Sequence, residues 1–375
     1  MISQLRGTYF LARDQGVLPT LKLLCRKGVE RVHKSGFERF DNWEDYFAYM
    51  RSRSVHRDDP VDSKWIEFVC PFHRGDVIVG FLAASAAAQA GKRVRMYVCR
   101  GMGAWLSDFP VCENLCVVEL QTALPTALET QPRYHSAVKE VMNRPEARGR
   151  FASSRPIRTL EAAGADLAGY MLLQLGMPAD TPLPKLYPRD CGEAEKKRLR
   201  SLIGCPEEPF ILLHPQGGWR IKSMSPDVVK RIIAQAQTAG CRAIQIGGSA
   251  DRPVSGTDGA ILQNLRLSEW QYLFRSAVAL VGVDSWTAHF ASLLNVPQAI
   301  VYGATVDGSI GLKRHMLCQE GQLLILDSRC ELAPCNKTYC RRGFEYCAGM
   351  EPGEGTICDY LDRIKNGCKS CNTIC

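Results

Sequence analysis

The segment LLHPQGGWRIKSMSPD, residues 212–227, ends an apolar run in His214 and Pro215, turns on Gly217 and Gly218, and sets Arg220 and Lys222 just ahead of a helix start. Glycines admit close backbone approach, and cations at a strand-to-helix junction suit the charge that develops on a departing pyrophosphate. A solvated basic loop would carry the same residues, so this segment alone leaves both readings open. Further on, LVGVDSWTAHFASLLN delivers Asp284, Ser285 and His289 to a strand end and a helix start, where amide N–H groups and the helix dipole favour an anion such as a diphosphate. Asp284 or Ser285 would serve equally as a helix cap, with His289 packed in the first turn. Near the front of the chain, PFHRGD places Asp76 behind His73 and Arg74 and ahead of an Ala-rich apolar stretch. A carboxylate there is either a general base or a first-turn acid stabilised by the dipole, and His73 and Arg74 either hold an anionic acceptor or face water.

These residues need elements to hold them. The run WIEFVCPF reads as a strand, VIVGFLAASAAAQAG as a helix and VRMYVC as a second strand, which is a strand–helix–strand unit of a parallel sheet. Residues 100–190 are harder to parse. The second half alternates more regularly: strands FILLHP, CRAIQIGG, VALVGVD and QAIVYG are separated by helices SPDVVKRIIAQAQTAG, SEWQYLFRS and WTAHFASLLN. Ser225 as N-cap, Pro226 at the first helical position and Gly240 past the end delimit the first of those helices. Such alternation predicts two doubly wound parallel-sheet (Rossmann-like) α/β domains facing a cleft, with ligands outside the carboxyl ends of the strands. The predicted division is a helical extension over 1–60, an α/β domain over 61–190, a linker over 191–206, a second α/β domain over 207–329 and a cysteine-rich segment over 330–375.

The 375 residues, 46% hydrophobic and 23% charged, suffice for two cores, and the net charge of +8 favours anionic ligands without choosing among them. No stretch approaches the roughly 18 to 20 apolar residues of a membrane span, and the first 30 residues lack a signal-peptide core, so a cytoplasmic protein is expected. The basic, loosely amphipathic start of the chain either rests on an anionic membrane as a peripheral inner-membrane contact or forms a solvated or domain-packing helix. Dispersed basic residues without interleaved aromatics argue against nucleic acid as a partner. Hydrolysis is disfavoured because neither a paired-carboxylate nor a Ser/His nucleophile signature is present.

Taken in order, HPxGG with Lys222 and SP, then IGGSADR, then LVGVDSxxxHxAxxLxxPxxxxYGxT resemble the family 9 glycosyltransferases, best known as ADP-heptose:lipopolysaccharide heptosyltransferases. The resemblance spans roughly residues 65–350 and is firm over about 210–306. It implies a GT-B fold and an inverting transfer of a heptose or related sugar from a nucleotide-sugar donor, ADP-heptose in the family, to a glycan such as a lipopolysaccharide core or to a protein. It further implies that Lys222 meets the donor phosphates, that Asp284, Ser285 and His289 line the donor pocket, that Asp251 approaches the nucleoside, and that Asp76 is the general base. Trp286 stands where the family has glycine in its DSG or DTG element, so its side chain either crowds a backbone-to-phosphate contact or stacks on the ligand. No cofactor is required if Lys222 and helix amides meet the phosphate charge, and no DxD-type manganese site is expected.

Eight of the 17 cysteines fall between Cys330 and Cys375. Cys330, Cys335, Cys340 and Cys347 resemble the cysteine-bearing C-terminus of some heptosyltransferases, and Cys368 with Cys371 forms a CxxC whose two thiolates can reach one tetrahedral metal. Structural zinc, the iron that the resemblance to autotransporter heptosyltransferases suggests, disulfides and free thiols all remain open. The alternative to an enzyme is a non-catalytic metal- or nucleic-acid-binding protein on a degenerate glycosyltransferase scaffold.

Overall fold

The structure is a computed structural model and describes residues 9, 17, 40–56, 58, 60–110, 112–124, 130–156, 164–204, 207–306, 321–335, 340 and 342–367. Two compact units divide at Leu186 and Tyr187.

In the first unit, β1 (Trp65–Val69), β2 (Arg93–Val98), β3 (Leu115–Glu119) and β4 (Arg150–Ser153) form an all-parallel sheet in the order β3-β2-β1-β4. Helix α1 (Trp43–Arg51) starts at Asn42, whose side chain accepts from the Asp45 amide at 2.8 Å. It buries Trp43, Tyr46, Phe47 and Met50, with the Phe47 ring stacked on Phe151 of β4, so this part of the 1–60 stretch belongs to the first core. Helix α2 (Arg74–Gln89) is apolar on nearly every side and correspondingly buried. Gly80 lets it approach β1 closely: a Cβ there would stand 2.7 Å from the Cys70 sulfur. The stretch that resists parsing holds α3 (Met102–Leu106), β3, α4 (Thr130–Met142), β4 and α5 (Leu167–Gln174).

The second unit carries six parallel strands, β5 (Phe210–His214), β6 (Arg242–Gly247), β7 (Gly259–Leu262), β8 (Ala279–Val283), β9 (Gln298–Val301) and β10 (Leu323–Leu326). Their order, β10-β9-β8-β5-β6-β7, is that of a doubly wound dinucleotide-type sheet, and the winding direction reverses between β5 and β8. Register pairs His214 with Gly282, so the loops that leave these two strands start side by side. Among the helices, α6 (Glu193–Ile203) occupies the segment read as linker, and α7 (Pro226–Thr238), α8 (Leu267–Ser276) and α9 (Trp286–Leu294) follow the expected alternation. Ser225 caps α7 by accepting from the Val228 amide, and Gly240 beyond its end has φ +65°.

The core of this unit joins Val228, Val229, Ile232 and Ile233 of α7 to Ile211, Leu213, Val281 and Val283 of the sheet. It also takes in Met350 and, from α10 (Thr356–Gly367), Ile357, Tyr360 and Leu361. The cysteine-rich end of the chain therefore contributes to a hydrophobic core. Both domains are doubly wound parallel-sheet α/β structures, as the alternation predicts. Among the described residues no helix is long and apolar enough to cross a membrane.

Candidate functional site

The loop after β5 folds back on itself: the Met224 amide donates to the Pro215 carbonyl at 2.9 Å, and the Gly217 amide to Ser223 Oγ at 3.0 Å. Within it, Arg220–Lys222 form one 3-10 turn. Gly217 is required by contact, since a Cβ there would lie 2.7 Å from Lys222 Cβ, whereas a Cβ on Gly218 would meet nothing within 4 Å. Lys222 passes over the Trp219 ring and donates from Nζ to Asp284 Oδ2 at 2.6 Å. The same oxygen accepts from Thr305 Oγ1 at 2.7 Å, so the loops after β5, β8 and β9 converge on one carboxylate.

Asp284 is only 7% exposed. Burial by itself would push its carboxyl up, but the Lys222 ammonium, the Thr305 hydroxyl and nearby His289 outweigh that and hold it below the ordinary value. The residue is thus a buried carboxylate that fixes an ammonium at the switch point of the sheet. Ser285 follows as N-cap of α9 but makes no side-chain cap hydrogen bond, so its own hydroxyl does not occupy the first-turn amides. Thr287 Oγ1 lies 3.0 Å from His214 Nδ1, tying that turn to the end of β5.

The remaining sequence candidates are placed differently. Trp286 is 8% exposed, and its ring packs against Trp270 (centroids 5.5 Å apart), Phe274 and Phe290 in an aromatic cluster. That packing accounts for a bulky residue at a position where the resemblance calls for glycine. Arg220 forms an ion pair with Glu345 and donates to Tyr346 Oη at 2.9 Å. Asp251 accepts from the Gly248 amide at 2.7 Å, which closes the turn after β6. The neighbouring Arg252 is tied to the β5 loop through Gln216, whose Oε1 accepts from the Arg252 amide at 3.0 Å and whose Nε2 donates to its carbonyl at 3.0 Å. Gln245, fully buried in β6, donates to that carbonyl too and accepts from the Val254 amide at 2.7 Å. Neither glutamine stands out in the sequence, and Thr305 is visible there only as the last letter of the YGxT pattern.

In the first unit, Asp76 lies in the first turn of α2. His73, at the N-cap, has φ +60°, a left-handed backbone that is rare for a residue with a side chain and that occurs where the surroundings impose it. Arg74 stacks its guanidinium over Trp105 at 5.6 Å.

Among the described residues no group of three or more His, Cys, Asp or Glu side chains comes together as a metal site. Cys330, Cys335, Cys340 and Cys347 are free thiols, partly buried, and burial raises that of Cys347. The Cys368–Cys371 pair lies outside the described residues. Cys330 and Cys335 lie near enough to Cys347 to raise it further, and no chemical step below runs through a metal ion.

The Lys222–Asp284 pair and the start of α9 thus lie outside the carboxyl ends of β5 and β8, the ligand-binding end of a doubly wound sheet, in a GT-B fold of two Rossmann-like domains. Among solved structures the chain is similar to E. coli ADP-heptose lipopolysaccharide heptosyltransferase II, with 13% identity, a TM-score of 0.53 and coverage of 81% of this chain and 99% of that one. A family 9 glycosyltransferase from Veillonella parvula matches with 12% identity and a TM-score of 0.54, over 82% of this chain and 98% of its own. The iron-containing dodecameric glycosyltransferase TibC from enterotoxigenic E. coli matches with 13% identity and a TM-score of 0.54, over 84% and 78%. At these identities the likeness defines the fold. No protein-family profile and no curated protein matches the sequence.

Proposed function

We propose that the chain is an inverting glycosyltransferase of the family 9 type that moves a heptose or related sugar from a nucleotide diphosphate donor, ADP-heptose by this reading, to a glycan or protein acceptor. The observation that carries the proposal is the Lys222–Asp284 pair at the switch point of the second sheet, beside the start of α9. Asp284 accepts one of the three ammonium N–H donors, and on this reading the ammonium and the start of α9 meet the diphosphate oxygens. In the transfer, an acceptor hydroxyl gives its proton to the Asp76 carboxylate while its oxygen attacks the anomeric carbon. The bond from that carbon to the diphosphate breaks from the opposite face, and the negative charge that builds on the leaving group is met by Lys222 and α9. A lipopolysaccharide-core-like acceptor would have the protein act in the cytoplasm with a peripheral contact to the inner membrane. Catalysis on this reading requires no cofactor, since the cation that such transfers need is Lys222.

Incubating the purified chain with ADP-heptose and core oligosaccharide, and following ADP release, tests the proposal. Release is expected, and Asp76→Asn should lower it by about a hundredfold or more, the scale of one general base, while leaving ADP binding intact. No release with any nucleotide sugar, together with a bound metal or nucleic acid that survives Asp76→Asn and Lys222→Met, would instead favour a binding protein on a degenerate scaffold.

A further inference from the structure

Arg220 stands two residues before Lys222, and its guanidinium is taken up by the C-terminal segment. It pairs with Glu345, donates to Tyr346 Oη at 2.9 Å and lies over the Tyr346 ring at 5.2 Å. A few residues on, Met350 is buried where the end of β9 meets the same turn: a Cβ on Gly303 would stand 2.8 Å from Met350 Sδ and 3.0 Å from the Ile221 carbonyl oxygen. Residues 345–350 therefore hold the 220–222 turn at Arg220, and Met350 and Ile221 both close around Gly303. The gripping segment is itself braced, since the Arg329 amide donates to the Gly349 carbonyl at 3.1 Å and Ser328 Oγ lies 3.7 Å from Cys347 Sγ. Beside it, an open depression of about 580 Å³ is lined by Ser225, Asp227, Val228, Arg231, Phe344 and Met350, while Met350 itself packs in the core with Val228 and Val229 of α7. The polar contacts of Arg220 with Glu345 and Tyr346 join the segment directly to the turn.

We propose that Glu345 and Tyr346 are positioning residues for Lys222: through Arg220 they hold the 220–222 turn in register with Asp284, so the C-terminal segment completes the donor-phosphate site. The ligand in this inference is that of the transferase reading, on which it rests for its function and not for its geometry. Arg220 acts as the link between the two segments, a different task from that of a second phosphate cation.

Hydrogen exchange on the full-length, ligand-free chain, followed by titration with ADP, tests the inference in Glu345→Gln and Tyr346→Phe. The control is Arg342→Ala, which breaks an exposed pair with Glu331 in the same segment. Amides 217–223 should exchange about tenfold faster in the two test variants and at the wild-type rate in the control, the scale set by loss of one charge-assisted hydrogen bond. ADP affinity should fall by a similar factor without a matching loss of melting temperature, and Glu345→Asp should recover part of it. Wild-type exchange at 217–223 in both test variants would overturn the inference, as would a rise spread evenly over the whole domain, which marks a merely structural role. Local faster exchange in a protein that binds no ADP would leave the positioning role standing and remove the transferase reading.

Discussion

At the scale of single residues, the account turns on a buried carboxylate and its cation. Lys222→Met removes the ammonium and leaves Asp284 buried beside Thr305 and nearby His289. Breaking one side of a buried pair costs about 3–5 kcal/mol, so chemical denaturation should find the variant destabilised on that scale, and calorimetric titration should find ADP binding lost. The pH dependence has a definite sign. In the native protein Lys222 and its neighbours hold the Asp284 carboxyl below its ordinary value, so its contribution to stability is complete above the ordinary carboxylate range and is lost as the pH falls through the folded value. In Lys222→Met, burial acts unopposed by the ammonium and the carboxyl rises, so the variant should gain on wild type as the solution is acidified. Unfolding curves at a series of pH values check this, and parallel acid limbs would contradict it. The pairing partners of this site were partly legible in the sequence: Lys222 and Asp284 stand out because glycine turns and a strand end isolate them. Arg220 looks identical to Lys222 in that light. Its separation depends on Glu345, more than a hundred residues away in the chain, and no local pattern encodes that contact. Trp286 is similar, because only the neighbouring Trp270, Phe274 and Phe290 make a buried aromatic the right residue there.

At the scale of elements, the loop after β5 works because it is closed by hydrogen bonds and shaped by one glycine. Gly217→Ala should displace Lys222 and weaken ADP binding, whereas Gly218→Ala, with open space around its Cβ, should leave the melting temperature unchanged. Equal stability and equal ADP affinity in both variants would count against the loop geometry. Ser225→Ala should cost about 1 kcal/mol by removing the α7 cap, measurable by denaturant titration. Elements with strong punctuation are readable in the sequence: Ser225, Pro226 and Gly240 bracket α7, apolar runs mark β5, β8 and β9, and β6 reads as a strand across Gln245 to its Gly-Gly end. β7 and β10 were not, because short edge strands that are only partly buried lack both the unbroken apolar run and the alternation of a half-exposed strand. Residues 191–206, read as linker, hold α6 because a helix with Leu199 and Ile203 as its buried face needs few apolar residues to dock.

At the scale of the whole molecule, both sheets use the same device, a central first strand with the chain winding away to each side, with Asp76 just past β1 and Lys222 just past β5. The second domain also depends on residues far beyond its last motif. Leu361→Ala in α10 should cost roughly 2–5 kcal/mol, because its side chain is fully buried in the same core as α7 and the sheet. Hydrogen exchange followed separately over each domain's amides would locate that loss in the second. The central claim is that a diphosphate occupies the space between Lys222 and the first turn of α9, and a crystal structure of the full chain with ADP tests it most directly. The account predicts a β-phosphate oxygen within hydrogen-bond reach of Lys222 Nζ and of the α9 amides; ADP bound elsewhere, with no phosphate at either group, would contradict it.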